Sequence, residues 1–463
     1  MFFRKKEEPE IEEELAEEEE VQNSGAIYII LPVILQFVLG ALVFLRSRNA
    51  AITYLYAMVP MLFVTAALGT YAYNRGSDMK LFTAMTCLAS MGIALQITIE
   101  YVYHPVGAPY SAIKYAISLA IAVAFVAFYH LFRLLLNKSF TIWLMFALAA
   151  AVYIVLMING IDANGNGTTA WFTIGNLTVQ LTDFIKVAAV MFYSALFSVK
   201  NKRDDRSILT ISTLFFLMNL VGSVLIHELG SFFILYGLHL SVLYIFLPHS
   251  KMKRVYLLTV FITTIVLLAG AYMLYKILLP YAEAGTLNSF TALIWPIVKK
   301  VYLRFSITAN LVNDPYGAGY QLLQGKRALW MSGFFGNTVN FVEIPVPDSD
   351  MAFISLVNSF GLPIGFLAVL LFAQILFSGG ELSVSLLKKN RQDAVVVYGI
   401  TVMLFAQAMF VILGSCNVIP LAGLPIPFLS RGFTYQSIVF CFGGLLLHLS
   451  EDNADPEGGV HEV

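Results

Sequence analysis

A short acidic segment, Asp348, Ser349 and Asp350, follows two prolines and directly precedes a long apolar run. A carboxylate in such a place could act as a general base and take the proton of an attacking hydroxyl group. The same side chains could instead cap a helix, because Asp and Ser accept hydrogen bonds from free amides of a first helical turn. The two roles can coexist, and Asp350 is a candidate for the base.

The glycine-rich segment 313–320 precedes this acidic segment and is followed by polar and basic residues. Its backbone amides, together with nearby cations, could hold a phosphate group. The alternative is a flexible turn followed by an amphipathic helix. The side chains that would contribute to a phosphate site here are Gln321, Gln324, Lys326 and Arg327.

Ionisable residues in or beside apolar runs are expensive to place in a membrane without a partner. Lys186 follows Asp183 by three residues, so both side chains lie on one face of a predicted helix. The pair could serve a substrate or could only stabilise packing. His227 and Glu228 lie near another helix end, where a histidine is more often hydrogen-bonded structure than a ligand.

Common metal and nucleotide motifs are absent from the sequence. The seven histidines and three cysteines (Cys87, Cys416 and Cys441) form no HExxH, CxxC or similar cluster, and there is no Walker A motif. We therefore assign no metal ligands, expect no disulfide framework and expect no use of ATP by this chain.

The composition requires a membrane: 59% of the 463 residues are hydrophobic and 12% are charged. The net charge of −1 gives no indication of nucleic acid binding. About twelve runs are long enough to cross a bilayer, which predicts an all-α polytopic fold. Their predicted spans are 26–46, 51–73, 80–103, 110–135, 140–160, 179–199, 207–226, 229–249, 255–279, 351–378, 393–415 and 433–450.

Lysine and arginine are enriched in cytoplasmic loops, so their positions predict the orientation. Three basic loops fall on one side and place both termini in the cytoplasm; they contain Lys200 to Arg206, Lys251 to Arg254 and Lys388 to Arg391. The short loop from Arg46 to Arg48 is the exception. Three irregular stretches lie on the outer side: 161–178, 280–350 and 416–432.

The predicted organisation has four parts. Residues 1–25 form a disordered acidic cytoplasmic tail, 26–135 form N-terminal transmembrane helices, 136–450 form a transmembrane core, and 451–463 form a cytoplasmic tail. The core includes the outer loop 280–350, which mixes aromatic and basic residues. Part of that loop is expected to fold as an amphipathic helix against the membrane face.

Four ordered segments resemble the SEDS family, the RodA and FtsW type of peptidoglycan glycosyltransferase. The segment 169–186 is similar to the family pattern RW(I/L)xxGxxxxQPSEFAK, with Trp171, Gln180 and Lys186 among its matches. The segment 228–231 resembles PDLGT, with Glu228 in place of the Asp.

The other two segments lie on the predicted outer side. The segment 319–336 is similar to GYQxxQSxxAIGSGGLFG and continues to Asp348–Phe353, which resembles ESDFIF. Asn358 and Ser359 stand where the family has two later acids. The segment 420–432 is similar to PxTGxxLPFxSYGGSS, with Ser430 matched and Arg431 a departure.

The resemblance implies a core of ten transmembrane helices, which leaves two surplus helices at the N-terminus. It implies polymerisation of lipid II into glycan strands at the outer face of a bacterial cytoplasmic membrane, in elongation, division or sporulation. Asp350 falls on the catalytic Asp of the family. The implied candidates for substrate binding are Lys186, Trp171, Gln180, Gln321, Gln324, Arg327, Ser430 and Arg431.

The leaving diphosphate needs positive charge, from Mg²⁺ or Mn²⁺ or from Lys186, Arg327 and Arg431. No organic cofactor is implied. The expected partners are lipid II, membrane lipids and a class B penicillin-binding protein that crosslinks the strands. Two alternatives remain: a flippase for a lipid-linked precursor, and an inactive scaffold for a transpeptidase.

Overall fold

The computed structural model describes residues 7–103, 110–162, 167–175, 177–198, 203–313, 316–337 and 343–451. The expected tail segments 1–6 and 452–463 lie outside these ranges, as do Asp314 and Pro315 of the glycine-rich segment. The helices are α1 (Glu7–Arg46), α2 (Arg48–Asn74), α3 (Met79–Tyr103), α4 (Tyr110–Ala127), α5 (Tyr129–Leu136), α6 (Ser139–Asn159), α7 (Thr182–Leu196), α8 (Asp205–Leu225), α9 (Gly230–Phe246), α10 (Lys251–Glu283), α11 (Ser289–Ala309), α12 (Ala318–Ser332), α13 (Ala352–Phe360), α14 (Leu362–Lys389), α15 (Arg391–Ser415) and α16 (Phe433–Glu451).

The fold is that of an all-α polytopic membrane protein, as the sequence predicts. In the described part of the chain, nine helices are long and apolar enough to cross a membrane, and α4 with α5, bent by 53°, could form a tenth span. The expected count of twelve is not confirmed, because α7 has only 15 residues and α9 only 17. The predicted helix 110–135 is broken at Phe128.

The two N-terminal helices pack together and against α3. Gln36 of α1 is fully buried and donates hydrogen bonds to Thr65 of α2 at 2.9 Å and Ser90 of α3 at 3.1 Å. Tyr54 donates to the carbonyl oxygen of Gln36 at 3.1 Å. These bonds satisfy polar groups that would otherwise lie unpaired among apolar side chains.

Helix α1 begins at Glu7, so the acidic stretch predicted to be disordered is helical from that residue onward.

The single helix predicted over 351–378 is wrong: the chain forms a nine-residue helix, α13, and then α14. The break falls at Gly361, whose φ of 94° is unfavourable for residues with a side chain. A Cβ atom there would lie 2.0 Å from the carbonyl oxygen of Phe334. Pro363 then suits the first turn of α14, where its missing N–H costs no hydrogen bond. Every residue of α13 is buried, so this short helix is a core element.

The stretches that the sequence predicts to lie outside contain regular elements. A hairpin of β1 (Trp171–Ile174) and β2 (Leu177–Gln180) pairs Trp171 with Gln180. Helix α10 continues to Glu283, and the loop after it contains α11, a 3₁₀ turn at Leu311–Asn313 and α12. The stretch 416–432 has no regular helix, as predicted.

Candidate active site

Asp350 lies in the turn before α13 and is only 8% exposed. The hydroxyl group of Ser349 donates to its Oδ1 atom at 3.2 Å, and a Cβ atom on Gly423 would lie 3.4 Å from its Oδ2 atom. The acid therefore lies between its own turn and the loop 416–432. Capping does not explain it, because the N-cap of α13 is Met351 and makes no side-chain capping bond.

A carboxylate in a turn at the end of a membrane helix would be expected to be solvated, but Asp350 is buried. Burial raises the pKa of Asp350 to about 6, while the hydrogen bond from Ser349 and the charge of Arg304 act in the opposite direction. The neighbouring Asp348 adds a smaller upward effect. A pKa near 6 leaves most of this carboxylate ionised at neutral pH and places it close to the range in which a general base works well.

Helix α11 brings two cations to the site that sequence reasoning did not select. Arg304 attracts both Asp350 and Glu228 electrostatically. Lys300 donates to the carbonyl oxygen of His227 at 2.8 Å, and burial lowers its pKa to about 8. Lys300 and Arg304 are four residues apart, which places both on one face of a helix. This spacing is the feature of the sequence that indicates them.

Glu228 provides a second buried acid near Arg304. Its Oε1 atom accepts the backbone N–H of Ser231 at 2.9 Å, which fixes it at the start of α9. Its Oε2 atom is buried and has no hydrogen-bond partner among the described residues. Lys300 and Arg304 are the cations that act on it. Glu228 is therefore part of the charged site, although the sequence alone also allowed a purely structural role.

A second group of charges surrounds Asp348. The side chain of Arg431 lies 3.4 Å from the Oδ2 atom of Asp348, and the backbone N–H of Arg431 donates to the carbonyl oxygen of Asp348 at 2.8 Å. Lys114 of α4 interacts electrostatically with Asp348 and Arg431. The predicted Arg431 thus joins the site, and Lys114, which the motifs did not indicate, joins it too.

The two loops of the site are held together by a side chain of α3. The amide nitrogen of Gln96 donates to the carbonyl oxygen of Leu429 at 2.7 Å and to that of Asp348 at 3.2 Å. Gln96 is fully buried. This glutamine fixes the position of the acidic turn relative to the loop 416–432.

Lys186 lies in a buried network and is 2% exposed. It donates to Asp183 at 2.8 Å and to Gln407 of α15 at 3.0 Å, and its charge lies 5.1 Å from the ring centre of Tyr435. Gln407 in turn donates to the carbonyl oxygen of Pro425 at 2.7 Å. The predicted ion pair of Lys186 with Asp183 is confirmed. Lys186 also connects α7 to the loop 416–432 through Gln407.

The remaining candidates lie in and beside the hairpin and in α12. Trp171 is half-buried in the hairpin, and Gln180 is buried and donates to Thr182 at 3.3 Å. In α12, Gln321 lies 3.5 Å from the carbonyl oxygen of Pro345, while Gln324 is half-buried and Arg327 is exposed. Through this bond, Gln321 contacts the segment that leads to Asp350.

Among the described residues, no group of three or more His, Cys, Asp or Glu side chains is placed to hold a metal ion. Arginines act on these carboxylates instead: Arg431 is paired with Asp348, and the charge of Arg304 acts on Asp350. This donor set does not fit a divalent ion held by the protein alone, and we derive no step through such an ion.

The fold and the site define a polytopic membrane protein with a buried acid between two cationic groups. The sequence profile of the FtsW, RodA and SpoVE cell cycle proteins matches residues 78–455. The chain therefore belongs to this family. Helices α1 and α2 precede the matched region.

Two curated relatives are similar to about two thirds of this chain. The chain is 23% identical to stage V sporulation protein E of Bacillus subtilis over 326 residues, covering 68% of this chain and 82% of the relative. It is 25% identical to a protein of Synechocystis named probable peptidoglycan glycosyltransferase FtsW over 319 residues, covering 67% and 73%.

Solved structures have the same fold. A chain from a peptidoglycan synthase complex, described as coordinating polymerization and crosslinking, aligns with a TM-score of 0.58 at 17% identity, covering 81% of this chain and 98% of that one. The rod shape determining protein RodA of Thermus thermophilus aligns with a TM-score of 0.53 at 14% identity, covering 82% and 98%.

Proposed function

We propose that this protein polymerises lipid II into glycan strands at the outer face of a bacterial cytoplasmic membrane. The observation that carries the proposal is the burial of Asp350 beside Arg304 and the loop 416–432. Family membership and the names of the relatives support the same reaction. A buried acid with a raised pKa next to cations suits proton transfer coupled to loss of an anionic leaving group.

In the proposed reaction, Asp350 acts as the general base. The hydroxyl oxygen of the acceptor sugar attacks the anomeric carbon of the donor sugar, and its proton passes to the carboxylate of Asp350. The bond from that carbon to the diphosphate oxygen breaks, and the electron pair leaves with the polyprenyl diphosphate. Asp350 must therefore be ionised before each transfer.

The two cationic groups stabilise the leaving diphosphate in this proposal. Lys300 and Arg304 lie on the α11 side of Asp350, and Lys114 and Arg431 lie on the Asp348 side. Fixed cations lower the barrier when they face the place where negative charge develops. Arg327, on the exposed face of α12, has the freedom to join them.

Lys186 acts as a positioning residue in this scheme, since its charge is already shared by Asp183 and Gln407. It supports the loop 416–432 through the bond from Gln407 to Pro425. Trp171, Gln180, Gln321, Gln324 and Ser430 remain candidates for binding lipid II or for shaping its site.

The proposed partner is a class B penicillin-binding protein that crosslinks the new strands. The likeness to a chain of a peptidoglycan synthase complex supports this partner. The proposed orientation has both termini in the cytoplasm, because the basic loops then face inward. Asp350 then lies on the outer side, where glycan strands are made.

The test is polymerisation of purified lipid II by the full chain in lipid nanodiscs, with its cognate transpeptidase, in Mg²⁺, in Mn²⁺ and in chelator. We expect strands from the wild type and none from Asp350→Ala or Asp350→Asn. The matched control is Glu283→Gln, which neutralises an exposed acid at the outer end of α10. Full activity of the Asp350 variants would show that another acid is the base.

Two other outcomes separate the alternative functions. Wild-type protein that makes no strands but moves a fluorescent lipid II analogue across the bilayer would be a flippase. Wild-type protein that does neither, yet raises crosslinking by its partner, would be a scaffold. In both cases the glycosyltransferase proposal would be wrong.

A further inference from the structure

Arg46, the last residue of α1, reaches the C-terminal end of α13. Its Nε atom donates to the carbonyl oxygen of Ser359 at 2.7 Å, and its Nη2 atom donates to that of Asn358. The last carbonyls of a helix have no partner within the helix and must find one elsewhere. A cation also suits this end, because the helix dipole makes it negative. Arg46 supplies both the hydrogen bonds and the charge.

The surroundings are shaped to receive this guanidinium group. Gly336, with a φ of 80°, lies so close that a Cβ atom would be 2.5 Å from the Nη2 atom of Arg46. The backbone N–H of Asn337 donates to the carbonyl oxygen of Asn358 at 2.9 Å. The end of α13 is thus a meeting point of α1 and the turn after α12.

Helix α13 needs such support because it is short. It has nine residues, and helices of this length are marginal unless their ends and faces are held by the rest of the protein. Asp350 lies two residues before its first residue, Ala352. A shift at the C-terminal end of so short a rod is transmitted to the acid at its other end.

Arg46 itself is held rigidly. Helices α1 and α2 are separated by the single residue Ser47, whose hydroxyl oxygen accepts the N–H of Ala50 at 3.3 Å. The buried bonds from Gln36 to Thr65 and Ser90 fix α1 against α2 and α3. The guanidinium group is therefore delivered to α13 from a firmly packed helix pair.

The contact between Arg46 and α13 joins a residue outside the region that matches the family profile to residues inside it. Arg46 lies outside the region 78–455 that matches the family profile. It meets the backbone of Asn358 and Ser359, whose buried side-chain polar atoms have no hydrogen-bond partner among the described residues. A charge for this end of α13 therefore comes from an element that precedes the family core.

We propose that Arg46 is a positioning residue for Asp350, through which the N-terminal helix pair holds α13 in its reactive place. This inference rests on the proposed glycosyl transfer for its kinetic part only. Arg46 is an exception to the enrichment of Lys and Arg in cytoplasmic loops. The inference explains this exception, because the charge of Arg46 contacts the end of α13. Its structural part can be tested without any activity.

The experiment compares wild type with Arg46→Ala and Arg46→Lys in full-length protein in nanodiscs. Arg48→Ala is the matched control, because Arg48 carries the same charge two residues away and is exposed. Hydrogen exchange followed by mass spectrometry reads peptides that cover α13. We expect faster exchange there in Arg46→Ala, a smaller increase in Arg46→Lys, and no change in Arg48→Ala.

The kinetic arm measures lipid II polymerisation per folded molecule across pH. We expect kcat to fall by about 10- to 100-fold in Arg46→Ala, the range expected when a catalytic group is misplaced by about an ångström. Water that enters around a loosened Asp350 lowers its pKa, so the acid limb of the profile moves below pH 6. Arg46→Lys retains the charge but has a single donor nitrogen in place of the two that Arg46 uses, and gives an intermediate rate.

Three results would overturn the inference. The first is a hydrogen-exchange rate of α13 in Arg46→Ala that equals the wild-type rate. The second is an Arg46→Ala variant that gives less folded protein but has the wild-type kcat and pH profile. If Arg46→Ala does not fold, Arg46→Lys decides, and wild-type exchange and kcat in that variant would overturn the inference. A wild type that makes no strands would refute only the proposed function, because the exchange experiment stands by itself.

Discussion

The hydroxyl group of Ser430 donates a hydrogen bond to the carbonyl oxygen of Ser349, 3.3 Å away and 81 residues earlier in the chain. The same hydroxyl oxygen accepts the N–H of Ile426 at 2.7 Å, and Ser430 is fully buried. This serine therefore joins the loop 416–432 to the residue directly before Asp350. This connection gives Ser430 a structural role beside Asp350.

Removal of the Ser430 hydroxyl group should therefore affect the rate more than binding. We expect Ser430→Ala to lower kcat by about tenfold with KM for lipid II nearly unchanged, because the acid loses one of its fixed neighbours. Ser212→Ala is the control, since that buried serine donates to the carbonyl oxygen of Leu209 in its own helix. A rise in KM alone would indicate direct binding of substrate by Ser430.

The pH profile of polymerisation should have two limbs. Activity rises as Asp350 loses its proton through its pKa of about 6, and falls as Lys300 loses its charge through its pKa of about 8. The fraction of protein in which Asp350 is ionised and Lys300 is protonated is largest at about pH 7. Lys300→Arg should remove the alkaline limb and leave the acid limb in place. An unchanged alkaline limb would exclude Lys300 as its origin.

Loss of the Arg304 charge should move the acid limb in a defined direction. Arg304 favours the ionised form of Asp350, so Arg304→Gln raises the pKa of Asp350 further and moves the acid limb above pH 6. Lys299→Gln, a charge change at an exposed position of the same helix, is the control. Steady-state rates at several pH values measure the shift, and a limb that stays in place would contradict the role of Arg304.

Gly423 offers a test of the space around Asp350. Its φ is 68°, and a Cβ atom would lie 3.4 Å from the Oδ2 atom of Asp350. Gly285 has a similar φ of 67° but open space around it. Both alanine variants should lose about 1 to 2 kcal/mol of stability from the backbone alone. Only Gly423→Ala should also slow polymerisation, and equal rates in both variants would show that the contact is unimportant.

The pair of Lys186 and Asp183 should show strong coupling in a double-mutant cycle. Breaking a buried ion pair from one side costs about 3 to 5 kcal/mol, because the remaining charge has no partner. We expect Lys186→Met and Asp183→Asn each to be strongly destabilising, and the double variant to be less so than their sum. Equilibrium unfolding in mixed micelles measures these free energies. Additive losses would mean that the two charges act independently.

Sequence patterns predicted the elements that depend on local chemistry. The membrane class followed from composition, and the proximity of Asp183 and Lys186 followed from helical spacing. Asp350 follows from the sequence as a candidate base because its segment resembles a family motif and precedes an apolar run. The break at Gly361 was missed because the apolar run continues through it, and hydropathy does not register a backbone angle.

The sequence by itself determined that this chain lies in a membrane, which family it resembles and which acid to test, because composition and ordered motifs are properties of the chain alone. Only the tertiary structure decided that Asp350 is buried and that Arg304, Lys300 and Lys114 surround the acidic turn. Only the tertiary structure brings Arg46 to α13, where it contacts Ser359, which is 313 residues later in the chain. Burial and long-range pairing depend on how distant helices pack, and no local pattern encodes those distances.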